Sequence, residues 1–287
     1  MNRTILSASA AFAVLAVQLS AASPARPPHI LLIMADDLGS MDLRCQGNEK
    51  LNTPRLDALA RQGVRFTNAY AAAPVCSPTR AALITGLAPA RLHITQHGKD
   101  IPAFWPKDRP IQPPVSRYVL PLETLTLAER LKQRGYATGF FGKWHLSGDD
   151  RDREKGTGSA FWPEHQGFDL NVGGCGFGGP PTYFDPYRIP AIKPRRTGEY
   201  LTDRLADETI AFMRANRTQP MFICLWTYNP HYPFEAPADL IPKYKGKEGP
   251  GLKNPVYAAQ HEALDRAVGR VLDEVDRLSL ADSTVVV

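Results

Sequence analysis

The stretch "HILLIMADD" (residues 29–37) decides the architecture. Its apolar run has no polar alternation, so it describes a short strand buried on both faces, the kind found in parallel sheets covered by helices. It delivers two carboxylates, Asp36 and Asp37, at its C-terminal end. Working outward, Thr53 and Pro54 predict an N-cap and first helical position, Leu56, Leu59 and Ala60 a helical stripe, and Gly63 a stop. Thr126 and Glu129 form a capping-box pattern before "LAERLKQRG", and "YATGFFGKWH" then returns as a strand. A helix over about 199–215 leads into "PMFICLWTY", and one over about 256–278 leads into "STVVV". This alternation predicts an α/β fold, a doubly wound, mostly parallel sheet flanked by helices. In such sheets functional residues gather at the C-terminal strand ends. Asp36 and Asp37, Lys143 and His145, and Asn229 and His231 all fall there.

The 287 residues are 43% hydrophobic and 22% charged, enough apolar material for a substantial core, which excludes a disordered chain. The net charge of +5 favours an anionic substrate or surface. The basic residues are scattered rather than gathered in a stripe, so no nucleic-acid partner is expected. Residues 1–25 read as a cleaved signal peptide: a charged start at Arg3, an apolar run from Ile5 to Leu19, and small residues at 20–25. The run is too short and alanine-rich for a membrane span, so an exported, periplasmic or extracellular protein without a membrane anchor is expected, with one domain over 26–287. Cys45, Cys76, Cys175 and Cys224 are an even set, which in an oxidising compartment predicts two disulfides, or at most one if Cys76 has a chemical role. Cys224, inside "MFICLW", equally suits a buried inert thiol. Proline- and glycine-rich stretches at 98–121 and 147–198 read as long functional loops.

Adjacent carboxylates at a strand end suit a hard divalent cation, because like charges repel unless something positive lies between them; elsewhere "DD" is usually a surface turn. "GKWH" places a fixed cation, Lys143, beside a titratable imidazole, His145, with a packed Trp144 between them. His231 stands between two prolines in "NPHYPF", a stiff backbone equally suited to a structural histidine. In "CSPTRAALITG" (76–86), Ser77 and Pro78 start a helix. Cys76 thus sits at its positive end with Arg80 one turn on, a setting that favours anions; a disulfide cysteine before a helix is the plain alternative.

"CSPTRAALITG" closely resembles the signature of the type I sulfatases, Cys-x-Pro-x-Arg followed by Leu-x-Thr-Gly. "ILLIMADDLG", "TPRLDALARQGVRFTNAYAAAPVC", "GYATGFFGKWHL" and "NPHYPF" follow the family's order, so the resemblance covers residues 28 to 287. It implies an alkaline-phosphatase-like fold and a sulfuric ester hydrolase. A maturation enzyme would convert Cys76 to formylglycine, and Asp36, Asp37 and the modified Cys76 would hold one divalent cation, usually calcium. Arg80 would steady the hydrated aldehyde and the carboxylates, and Lys143 would bind the sulfate oxygens. His145 would help release sulfate, and His231 would face the leaving-group oxygen. In the family a further strand supplies an Asp-Asn pair and another lysine. This chain stops at "TVVV", so a C-terminally truncated catalytic region is expected, without the smaller C-terminal domain. A phosphonate or phosphate ester hydrolase of the same superfamily, or a non-catalytic remnant, are the alternatives.

Export and basic charge suit a sulfated carbohydrate as substrate. The loops "IPAFWP" and "PTYFDPYR" offer aromatic residues, Trp105, Tyr183 and Phe184, either for stacking sugars or for pinning the loops to the core. Asn216-Arg217-Thr218 matches a glycosylation acceptor.

Overall fold

In the computed structural model, which describes residues 27–97, 108, 110–111, 114, 116–148 and 159–287, the strands are β1 (His29–Met34), β2 (Ala137–Gly142), β3 (Leu170–Val172), β4 (Met221–Trp226) and β5 (Thr284–Val286). They form one sheet, ordered β3-β2-β4-β1-β5, and every pairing is parallel. Cys224 in β4 stands in register with Leu32 of β1 on one side and Phe140 of β2 on the other. The expected signal peptide and the "IPAFWP" loop with Trp105 lie outside the described residues.

The helices are α1 (Pro54–Gln62), α2 (Cys76–Thr85), α3 (Pro89–Leu92), α4 (Leu127–Lys132), α5 (Leu201–Asn216) and α6 (Pro255–Arg277). Side chains alternate across a strand, and the core divides accordingly. Leu31, Phe141, Ile223 and Leu225 pack with Leu205 and Phe212 of α5 and Ala263 and Val271 of α6. Their neighbours Leu32, Phe140, Phe222, Cys224 and Trp226 pack with Ala81 and Ile84 of α2, Leu92 of α3 and Ala128 of α4. Each such buried Leu or Phe stabilises the fold by ~1.5–3 kcal/mol, which is why the apolar runs read as strands covered on both faces.

Local signals behave as their chemistry dictates, with corrections. The capping box closes: Glu129 N–H donates to Thr126 Oγ1 at 3.1 Å and Thr126 N–H to Glu129 Oε2 at 2.7 Å. Thr53 does not cap α1 with its side chain, because its hydroxyl is committed to Asp57 and to the Arg44 N–H. The start of α1 is instead satisfied from a distance, by Asp265 of α6, which accepts from the N–H groups of Arg55 and Leu56. Only Asp57 is fully buried in α1, so the Leu56, Leu59 and Ala60 stripe is half-buried. The stretch 147–198 is not all loop: three residues of it form β3, too short to show a period. No disulfide forms. None of the four cysteines is in a disulfide: Cys224 and Cys175 are buried in the two separate clusters on opposite faces of the sheet, and Cys76 lies at the start of α2. Burial pushes the Cys224 thiol well above its ordinary value. No helix among the described residues is long and apolar enough to cross a membrane.

Candidate active site

Three strand exits and one helix start meet at the C-terminal edge of the sheet. Past β1, the N–H of Asp36 donates to Asn229 O beyond β4 at 2.9 Å, and Thr227 N–H donates to Met34 O at 2.9 Å, so the two exits are joined. Past β2 the chain runs close against the end of β4. Gly142 does so with φ +117°, and a Cβ there would sit 1.9 Å from Trp226 O, so only glycine fits. The Lys143 N–H then donates to Trp226 O at 2.7 Å, turning its side chain back beneath the site, where it is buried. Ser77, the second residue of α2, donates from Oγ to His145 O at 2.8 Å and fixes Cys76 beside the β2 exit.

Asp36 is the electrostatic centre. Its Oδ1 accepts from Arg80 Nη2 at 3.0 Å and its Oδ2 from Lys143 Nζ, all three side chains being buried. Burial alone would raise the Asp36 carboxyl, but the guanidinium of Arg80 and the ammonium of Lys143 outweigh it and hold the group below the usual carboxylate range. Arg80 also donates from Nη1 to Lys143 O, and its guanidinium lies 5.5 Å from the Trp226 ring centroid, a cation–π contact. Two buried cations share one carboxylate, so the cluster carries surplus positive charge. That surplus acts on His145: burial first, then Lys143 and Arg80, push its imidazole well below its ordinary value, so it is neutral at pH 7.

Asp37, with φ +61°, turns the other way, and its side chain is 61% exposed. Among the described residues no hydrogen bond reaches its carboxylate, which leaves it open to a cation; His231 Nε2 lies 3.6 Å from its Oδ2. The partner of His231 Nδ1 is the carbonyl of Tyr232, so Nδ1 carries a proton and Nε2 faces the site. Donor atoms of Asp36, Cys76 and His231 all lie within 4.8 Å of one another. A cavity of about 250 Å³ opens here, walled by Asp36, Asp37, Cys76, Thr79 and Arg80. With an oxygen in place of the Cys76 sulfur, the uncommitted Asp37 and the neighbouring Asp36 offer oxygen donors of the kind a hard divalent cation takes.

The structure thus brings all seven residues singled out from the sequence to one place. It also adds partners that the sequence did not single out. Trp226 lies under Arg80, and His97 stands edge-on to His145 with ring centroids 6.3 Å apart. Asp42 holds the loop after β1 by accepting from Tyr257 OH at 2.9 Å and from Gly39 N–H at 2.8 Å. No local motif announces the contacts of Trp226, His97 and Tyr257, since each joins segments distant in the chain; only the Gly39–Asp42 bond is local. Tyr183 and Phe184 pin their loop: Tyr183 is fully buried and stacks on Tyr200, against which Phe184 also packs.

A family model described as Sulfatase matches residues 28–287. The chain is 33% identical to the steryl-sulfatase of Mus musculus, over 98% of this chain and 54% of that protein. It is 28% identical to the N-acetylgalactosamine-6-O-sulfatase of Bacteroides thetaiotaomicron, over 94% of this chain and 60% of that protein. Among solved structures it resembles Ps i-CgsB in complex with k-i-k-neocarrahexaose, with TM-score 0.71 and 26% identity, over 91% of this chain and 57% of that one. The chain therefore spans a little over half the length of these proteins.

Proposed function

The chain belongs to the sulfatase family, and on that premise we propose that it is the catalytic region of a sulfuric ester hydrolase acting on a sulfated carbohydrate. The observation that carries this reading is the buried trio of Asp36, Arg80 and Lys143 beside Cys76, with a donor nitrogen of His231 within 4.8 Å of the Asp36 and Cys76 donor atoms. A sulfate ester presents electron-rich oxygens around sulfur, so lowering its barrier needs clustered positive charge that is already in place. Lys143 and Arg80, prepaid by folding, supply it.

In this reading a maturation enzyme converts Cys76 to formylglycine, and Asp36, Asp37 and residue 76 hold a divalent cation, by family resemblance calcium. When present, the hydrated aldehyde supplies an oxygen nucleophile and a second hydroxyl that later expels sulfate, while the cation adds positive charge toward the sulfate oxygens. The chain's own groups do the rest. His231 presents Nε2 toward the leaving-group oxygen and, as an imidazolium with protons on both ring nitrogens, gives it the Nε2 proton as the ester bond breaks, keeping its Nδ1 proton on Tyr232 O. His145, kept neutral by burial and its cationic neighbours, is free to accept a proton from a hydroxyl at residue 76. Export to the periplasm or the exterior would place such an enzyme with polymeric sulfated substrates.

Two measurements test the proposal. Peptide mass spectrometry across residues 65–80, after co-expression with a formylglycine-generating enzyme, is expected to show loss of the Cys76 sulfur. Rates on paired aryl sulfate and aryl phosphate esters are expected to favour sulfate; faster phosphate cleavage would move the protein to the phosphoester branch of the superfamily.

A further inference from the structure

We infer that Gly178 and Gly179 are positioning residues that set the two imidazoles of the site, Gly178 bearing on His145 and Gly179 on His231. The inference rests on the proposed hydrolase reading for its catalytic consequence, but its geometry stands independently. A Cβ on Gly178 would lie 2.7 Å from His145 Cε1 and 2.9 Å from Nε2; one on Gly179 would lie 2.9 Å from both Cε1 and Nδ1 of His231 and 3.0 Å from Tyr232 O. Carbon atoms do not approach so closely, so a single added methyl must displace the ring. Neither glycine has positive φ. Their place does not need the left-handed region, and what a side chain would meet first is the histidine in front of each, joined at Gly179 by Tyr232 O.

The segment carrying them is anchored to both histidines. Cys175 O accepts from the His145 N–H at 2.8 Å, and Tyr183 OH, at the other end, bonds to His231 O at 2.8 Å and to Tyr228 O at 2.8 Å. Thr182 Oγ1 and Tyr183 N–H each donate to Glu235 at 2.7 Å, binding the same segment to the loop that carries His231. Consecutive Cα atoms are about 3.8 Å apart, so one peptide unit with no side chains backs both rings and fixes their spacing. His145 is buried and cannot swing aside cheaply, whereas His231 is half-buried and can yield outward.

The test uses the full chain matured with the formylglycine-generating enzyme, with Gly178→Ala and Gly179→Ala compared by imidazole ¹H–¹⁵N resonances, thermal melting and steady-state kinetics on aryl sulfates of graded leaving-group acidity. Gly178→Ala is expected to shift the ring signals of His145 and not those of His231, and Gly179→Ala the reverse. Because misplacement by a fraction of an ångström to an ångström costs up to about 100-fold in rate, each is expected to lower kcat by roughly 10- to 100-fold. Only Gly179→Ala should steepen the dependence on leaving-group acidity, since only His231 serves that oxygen. If Gly178→Ala does not fold, the double variant with His145→Ala must melt like His145→Ala alone, because the clash is with the ring. Unmoved ring signals in folded single variants, an identical leaving-group dependence in both, or a double variant that stays unfolded would each overturn the inference. A wild-type chain that cleaves no sulfate ester would overturn the hydrolase reading and leave the resonance test intact.

Discussion

Asp265 ties the stability of the fold to pH. It reaches from α6 to the first turn of α1, where its Oδ1 accepts from Arg55 N–H at 3.0 Å and Leu56 N–H at 2.8 Å. Burial, with a smaller push from Asp57, outweighs the backbone donors and raises its carboxyl from the ordinary 3.8 to about 6. The folded state therefore holds a proton that the unfolded chain releases between about pH 4 and 6. The stability this group contributes is fully present below pH 4 and is lost as the pH rises through 6. A rise of about two pH units corresponds to ~3 kcal/mol. The carboxylate keeps its N–H partners and part of its solvation, so ~1–2 kcal/mol is expected in practice. Asp265→Asn removes the charge and keeps an oxygen able to accept both N–H groups. At pH 4 the variant should match the wild type within ~0.5 kcal/mol. At pH 7.5 it should be more stable by about 1 kcal/mol, since the attraction between the anion and the start of α1 is already contained in the raised value. Urea denaturation at both pH values measures this, because groups that titrate alike in the two proteins cancel in the difference. A stability difference independent of pH, or a less stable variant at pH 7.5, would refute the assignment of burial as the dominant cause.

Other outcomes follow from the site. Gly142→Ala drives a Cβ into the Trp226 carbonyl, and a loss of more than ~3 kcal/mol in urea melts is expected; a near-native melt would mean that β2 leaves the sheet differently. Lys143→Ala removes a buried cation from the crevice, and kcat/KM for an aryl sulfate should fall by roughly 10²–10³-fold, a result that wild-type kinetics would contradict. Because burial and the two neighbouring cations hold His145 below its ordinary value of 6.5, the acid limb of kcat/KM should lie below pH 6.5. Lys143→Gln should move that limb upward, and a limb that stays put would separate it from His145.

Much of this protein was legible in one dimension because the signals were local. The unbroken apolar runs of β1 and β4 announce strands covered on both faces, Thr126 and Glu129 close their own capping box, and polar residues follow β1, β2 and β4 because a crevice lies there. Residues 76–86 were legible for another reason: a thiol, a proline and an arginine at fixed spacing put three chemical functions on one helical turn. What remained hidden depended on contacts between distant segments. The pairing expected of the four cysteines fails because Cys175 and Cys224 belong to cores on opposite faces of the sheet. Thr53 resembles a cap by composition, but Asp265, 212 positions further along the sequence, does the capping. Asp36 and Asp37 are neighbours of identical chemistry, yet one is buried between Arg80 and Lys143 and the other faces solvent beside His231. Sequence alone therefore determined which groups this protein owns and that they meet at one edge of a parallel sheet. Only the tertiary structure decided which charges are desolvated together, since burial and charge pairing arise between segments that the chain keeps far apart.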